Sequence, residues 1–210
     1  MKRARRLIAL AAVAALGVAL AATLVHRQRE RDDSRTPAPG PYLGSTPPPG
    51  IHLRAFTLRD EQGQTVSTRT LKGKVVVFTF LDSACHDSCP IIASVIGSAI
   101  RRLTPAEQSR VSAFALTVNP STDTPQNVTR FLRSRGAYGR LDFLLGTVRT
   151  LQPLWKEFGV IPATKTGDAD IHSADVRIFD RRGIWVTTQR AGVDLTPANL
   201  VHDVREALRP

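Results

Sequence analysis

The chain has 210 residues, of which 42% are hydrophobic and 22% charged, proportions of a folded globular protein rather than a disordered one. Its net charge is +11, but the basic residues are scattered, apart from short pairs such as Arg101–Arg102 and Arg181–Arg182. Aromatic residues are not interleaved with a basic stripe, which argues against nucleic acid as a partner and reads the charge as solvated surface.

Lys2, Arg3, Arg5 and Arg6 precede an uncharged, largely apolar run from Leu7 to Val25. At about 1.5 Å per residue a helix over that run reaches roughly 29 Å, close to the thickness of the bilayer hydrocarbon. The positive cluster in front of the run predicts a cytoplasmic N-terminus and an exported remainder. Ala19-Leu20-Ala21 offers a cleavage pattern, so a cleaved signal peptide competes with a single uncleaved transmembrane helix; the length of the run favours the anchor. Residues 1–31 are therefore assigned to a membrane anchor or signal segment. Residues 32–50 hold Pro37, Pro39, Pro41, Pro47, Pro48 and Pro49. That stretch predicts a semi-extended linker rather than a helix or interior strand. Residues 51–210 are left for one folded, extracytoplasmic domain.

Within that domain, residues 53–58 and 64–67 predict short strands around a turn at Gln62-Gly63, an N-terminal strand extension. Val75 to Phe80 is a continuous β-branched and aromatic run, as in a strand buried on both faces. Pro90 suits the first turn of a helix in which Ile91, Ile92, Val95, Ile96, Ala99, Ile100 and Leu103 recur at helical spacing. Val111 to Val118 is a second buried strand. Asp123-Thr124-Pro125 opens a helix through Val128, Phe131 and Leu132. Asp142 to Leu145 follows as a strand, and Val148 to Phe158 as a helix ending at Gly159. Val176–Asp180 and Trp185–Gln189 form a hairpin, and Thr196-Pro197 opens the last helix. Parallel crossovers followed by an antiparallel hairpin give an α/β fold, a thioredoxin-like mixed sheet flanked by helices.

The two cysteines fall in Cys85-His86-Asp87-Ser88-Cys89-Pro90, between a buried strand and a helix start. Open α/β sheets place ligand sites there, and helix N-terminal amides favour thiolate, so both thiols are expected to be acidic and partly exposed. A purely structural disulfide would close so short a loop for only about 2 kcal/mol. The C-x-x-x-C spacing lets both sulfurs face one ion from a first helical turn. Two cysteines are an incomplete site, so a third ligand is sought among five histidines. His26 flanks the apolar run, His52 opens the first strand, and His202 lies beside Asp203 in the last helix. His86 sits inside the cysteine loop and is a lesser candidate. His172 precedes the strand at Val176, which a thioredoxin-like sheet brings beside the cysteine helix, and is taken as the third ligand. Cys85, Cys89 and His172 make a soft site suited to copper(I), with zinc left open.

These residues carry a resemblance. The chain resembles the Sco/SenC family of copper chaperones over most of residues 51–208, through Leu71-Lys72-Gly73-Lys74-Val75-Val76-Val77, Cys85-x-Asp87-x-Cys89-Pro90, Asn119-Pro120-x-x-Asp123-Thr124-Pro125, His172-Ser173, and Asp180 with Gly183. His86 stands where that family usually has proline. The resemblance implies a thioredoxin fold, with copper, as Cu(I) or Cu(II), held by the two cysteines and the histidine. It implies a membrane-anchored metallochaperone rather than an enzyme, delivering copper to a respiratory oxidase or preparing that partner's cysteines. The alternative is an exported thiol–disulfide oxidoreductase in which Cys85 and Cys89 are the redox-active, catalytic pair.

Overall fold

A computed structural model describes residue 23, residues 40–162 and residues 175–209. The apolar run at residues 7–25, apart from Thr23, and His172 lie outside the described residues. Among the described residues no helix is long and apolar enough to cross a membrane.

A hairpin comes first, β1 (Thr57–Arg59) against β2 (Thr65–Ser67), antiparallel with Leu58 opposite Val66. Gly63 takes φ +79° in its turn, a conformation that glycine adopts without a Cβ penalty. The expected strand over 53–58 starts later than its pattern suggests. Its first residues are drawn elsewhere: His52 bridges Ile184, and the Leu53 N–H donates to the Gly183 carbonyl at 2.8 Å.

The main sheet follows: β3 (Val75–Leu81), β4 (Val111–Thr117), β5 (Asp142–Leu144), β6 (Asp175–Phe179) and β7 (Trp185–Arg190). Its order is β5-β4-β3-β6-β7. β3, β4 and β5 run parallel, while β6 and β7 are antiparallel to their neighbours, which is the mixed sheet expected. The helices are α1 (Ser88–Arg102), α2 (Pro105–Gln108), α3 (Pro125–Ser134), α4 (Val148–Glu157) and α5 (Pro197–Leu208). Thr124, Thr147 and Thr196 each cap a helix by accepting a backbone N–H three residues on. α2 was not expected, although Thr104 and Glu107 form a capping box that is legible as T-x-x-E.

Alternation along β3 sends side chains to both faces of the sheet. Val75, Val77 and Leu81 join Cys85, Cys89 and the apolar sides of α1, α3 and α5. On the opposite face Val76, Phe78 and Phe80 join Phe114, Phe179 and α4, with Leu58 of the first hairpin. Helices therefore cover both sides, and the cysteines belong to the first layer. α1 crosses the loop after α3 closely: a Cβ on Gly97 would lie 2.7 Å from the Gly136 carbonyl oxygen and 2.9 Å from the Ala137 Cα. Gly97→Ala therefore loses stability on the order of 1–3 kcal/mol in urea unfolding, against the ~1 kcal/mol that alanine gains as a helix former. An unchanged or raised midpoint would show that this crossing is looser than described.

The stretch read as linker meets the domain at its end. The N–H groups of Leu43 and Gly44 donate to the Asp203 carboxylate at 2.7 and 3.0 Å, and Ser45 bridges Thr188 of β7. Asp203, fully buried, also accepts from Gln189 Nε2 at 2.8 Å.

Candidate metal centre

β3 leaves the sheet at Leu81, and the loop to α1 carries the cysteine pair. Cys89 is in the first turn of α1, with Pro90 next to it, while Cys85 precedes the helix. Only one of the two sulfurs thus lies on the helical turn to which the spacing assigned both. The two residues carry thiols, Cys85 2% and Cys89 0% exposed. The Asp82 N–H donates to Cys89 Sγ at 3.4 Å.

Thiol acidity differs from the expectation. Burial pushes the Cys89 thiol far above its ordinary value, a side-chain hydrogen bond with Cys85 adds to this, and the Asp82 amide opposes it. The magnitudes explain the outcome. A helix terminus contributes about 0.3–1 kcal/mol, under one pKa step, whereas full burial shifts a group by up to about 3–5.

Two carboxylates hold the loop in place. Asp82 accepts from the Ala84 N–H through Oδ1 and from Asn119 Nδ2 through Oδ2, each at 2.8 Å. Asp123 accepts from the Ser83 N–H at 2.8 Å and from the Thr117 hydroxyl. The Cys85 N–H donates to the Asp82 carbonyl at 3.2 Å, so the backbone on either side of Ala84 is fixed. The Asn119…Asp123-Thr124-Pro125 stretch, read in the sequence as a helix start, is therefore also the brace of the cysteine loop. An aspartate directly before a Thr-Pro cap is the local signal for it, since the threonine caps the helix and frees the acid to turn elsewhere.

Burial raises the Asp123 carboxyl to about 6 from an ordinary 3.8, its hydrogen bonds notwithstanding. A folded-state pKa above the unfolded one means that the folded protein holds the proton more tightly. That contribution is fully present below about pH 4 and is lost as pH rises through about 6. Asp123→Asn is expected to flatten the fall in stability between pH 4 and 6.5 by up to about 3 kcal/mol, read from urea midpoints across that range. An unaltered slope in the variant would place the titration elsewhere.

A cavity of about 400 Å³ opens beside the pair, lined by Cys85, His86, Asn127, Arg130, Phe131 and Arg135 among others, and gives Cys85 a route to solvent. His86 is exposed on its rim. His52 sits at the other end of the sheet, its backbone bridged to Ile184 just before β7, and His202 Nδ1 pairs with Asp203 Oδ1 at 3.0 Å. Among the described residues no group of three metal-binding side chains is assembled. β6 nevertheless begins at this end of the sheet: Val176 lies opposite Thr79, whose hydroxyl donates to the Asp175 carbonyl at 2.7 Å. Trp155 Nε1 donates to the Thr117 carbonyl at 2.9 Å and pins α4 to the same end.

A family model described as SCO1/SenC matches residues 45–209. The chain belongs to the SCO1/SenC family. A Stutzerimonas stutzeri protein, named as a proposed copper binder, is 33% identical over 132 residues, covering 60% of this chain and 63% of that protein. A Bacillus subtilis SCO1 homologue is 26% identical over 165 residues, covering 76% of this chain and 84% of the relative. Among solved structures, Bradyrhizobium japonicum ScoI with copper bound aligns with a TM-score of 0.63 and 27% identity, over 76% of this chain and all (100%) of ScoI. The mixed sheet with helices on both faces is thus the family's thioredoxin-like fold.

Proposed function

We propose that this SCO1/SenC chain is an exported, membrane-tethered copper chaperone. It holds copper on Cys85, Cys89 and His172, and delivers it to a respiratory oxidase copper site or prepares that site's cysteines. The observation that carries this reading is the juxtaposition of two buried, hydrogen-bonded thiols at the end of β3, in a loop fixed by Asp82 and Asp123. Two sulfurs are soft donors and suit copper(I). Their desolvated setting beside a cavity of about 400 Å³ suits an ion handed over by contact.

Family membership supports the metal, since the related ScoI carries copper. It also supports the partner, since the Sco family is described, for the Bacillus subtilis member, as cytochrome c oxidase assembly proteins. For His172 the support is the chain path. Asp175 opens β6 at the cysteine end, and the chain from His172 to Asp175 spans about 10 Å at most. For the tether it is the length and flanking charge of residues 7–25.

The oxidoreductase alternative needs a thiolate that attacks disulfides. Both readings require the thiol proton to leave, since the thiolate is the attacking group in one and the metal ligand in the other. Burial of the Cys89 thiol therefore bears on them alike, and a variant at His172 separates them. Titrating copper(I) into the reduced full-length protein is expected to give one ion per chain. His172→Ala is expected to weaken binding by well over about 100-fold, more than the 10–100-fold loss typical of an outer-sphere contact. Undiminished affinity in that variant removes His172 from the site, and undiminished reduction of a model disulfide by it favours the alternative.

A further inference from the structure

The end of the sheet opposite the cysteines carries a cluster of basic side chains. Arg69, Lys72, Lys74, Arg181 and Arg182 line a hollow of about 190 Å³ with the apolar Leu53, Leu71 and Val76 at its base. An adjoining hollow of about 480 Å³ shares Arg181 and Arg182 and adds Arg209. Two carboxylates face this end, and both are engaged: Asp180 with Arg182 at 2.8 Å and Glu206 with Arg209 at 2.7 Å. The Asp142 carboxylate acts on Lys74 from the side. Arg69, Lys72 and Arg181 are exposed.

The chain enters the domain at this same place. Tyr42 lines the second hollow together with Gly73, Arg181 and Arg182. From there the strap runs over Asp203 and along β7 to the turn at Gly183. The chain therefore joins the domain at Tyr42, beside the basic end.

We propose that this basic end is a docking face for anionic lipid headgroups, resting on the tether proposed above. The tether alone leaves a domain free to tumble. A cluster of arginines and lysines at the point where it joins the domain turns that one end to the membrane, because basic side chains near an anionic leaflet are attracted within a Debye length of the surface. β3 begins next to Lys74 and ends before the cysteine loop. At about 3.3 Å per residue this sets the cysteine end roughly 20 Å further from the lipid, facing the aqueous side where a partner approaches.

The test uses full-length protein in bilayer nanodiscs, either phosphatidylcholine alone or with about a third phosphatidylglycerol. A brief pulse of a membrane-impermeant acetylating reagent is read at single lysines by peptide mass spectrometry. Lys72 is expected to lose labelling at least about threefold on the anionic discs and to regain it at about 0.5 M salt, while the exposed Lys156 on α4 is unchanged. Combining Arg69→Gln with Arg181→Gln is expected to abolish the protection while keeping Lys72 as reporter. Equal labelling of Lys72 on both disc types overturns the proposal and leaves the patch to an acidic protein. The tether is read separately, by association with phosphatidylcholine discs. A chain that associates only with the anionic discs loses the tether and keeps the docking face.

Discussion

Full-length protein carrying Cys89→Ala is expected to take up no stoichiometric copper(I), while its unfolding temperature stays within a few degrees of the parent. Cys89 is one of two sulfurs in the proposed site, fully buried beside Cys85, and no other thiol exists in the chain to replace it. Losing a ligand costs more than the 10–100-fold typical of an outer-sphere contact, so binding falls by well over about 100-fold. Stability changes little by comparison. Removing one sulfur from a packed site costs on the order of 1 kcal/mol, or about 2–4 °C for a domain of this size. The contrast between the two readouts is the diagnostic. A variant that keeps one tight copper per chain removes Cys89 from the site, and with it the proposed function. A variant that loses copper only because it unfolds shows that the cysteine is chiefly a packing residue.

The second large effect is expected in the opposite layer, where Phe78→Ala lowers stability by about 3–5 kcal/mol without changing copper stoichiometry. Phe78 is 2% exposed and stands at the centre of an aromatic cluster. Its ring lies 4.6 Å from that of Phe80, 4.9 Å from those of Phe114 and Phe158, and 6.2 Å from that of Phe179. These rings come from three strands and from the residue that ends α4, so no single neighbour can collapse into the space left behind. A domain stable by about 5–15 kcal/mol loses a large part of its margin, and its midpoint falls by roughly 10 °C. A urea series that finds less than about 1.5 kcal/mol would mean that the cluster relaxes around the missing ring.

The two sites also show what a linear sequence reveals. β3 was legible because Val75 to Phe80 is apolar at every position, which a strand buried on both faces requires. α1, α3 and α5 were legible because Ile92 with Ile96, Val128 with Leu132, and Leu200 with Val204 repeat at helical spacing. The two cysteines were legible as a pair. The raised thiol of Cys89 was not, because desolvation depends on what α1 and α3 bring over it. The brace was legible only through its Asp-Thr-Pro signal, and its partners were not, for a related reason. Asp123 accepts from the Ser83 backbone N–H and Asp82 from the Asn119 side-chain amide, and pairing groups about 40 residues apart leaves no periodicity to read. The strap is the extreme case: a proline-rich stretch reads as spacer, and it is fixed to the domain by distant partners, Asp203, 160 residues away from Leu43, and Thr188, opposite Ser45.

That strap has a consequence for how the protein keeps to itself. The outermost strands of a sheet expose unpaired backbone groups that a second molecule can template upon. On one flank Ser45 and His52 bridge to Thr188 and Ile184; on the other Arg59 bridges to Leu145 beside β5. Each flank is thus partly covered by chain from the same molecule, the strap beside β7 and the end of β1 beside β5. Trimming the protein to begin at residue 54 would remove the cover from β7 and leave a row of unsatisfied amides ready to recruit another copy. The proline-rich lead-in is, on this view, a guard against fibrillar self-association as much as a spacer.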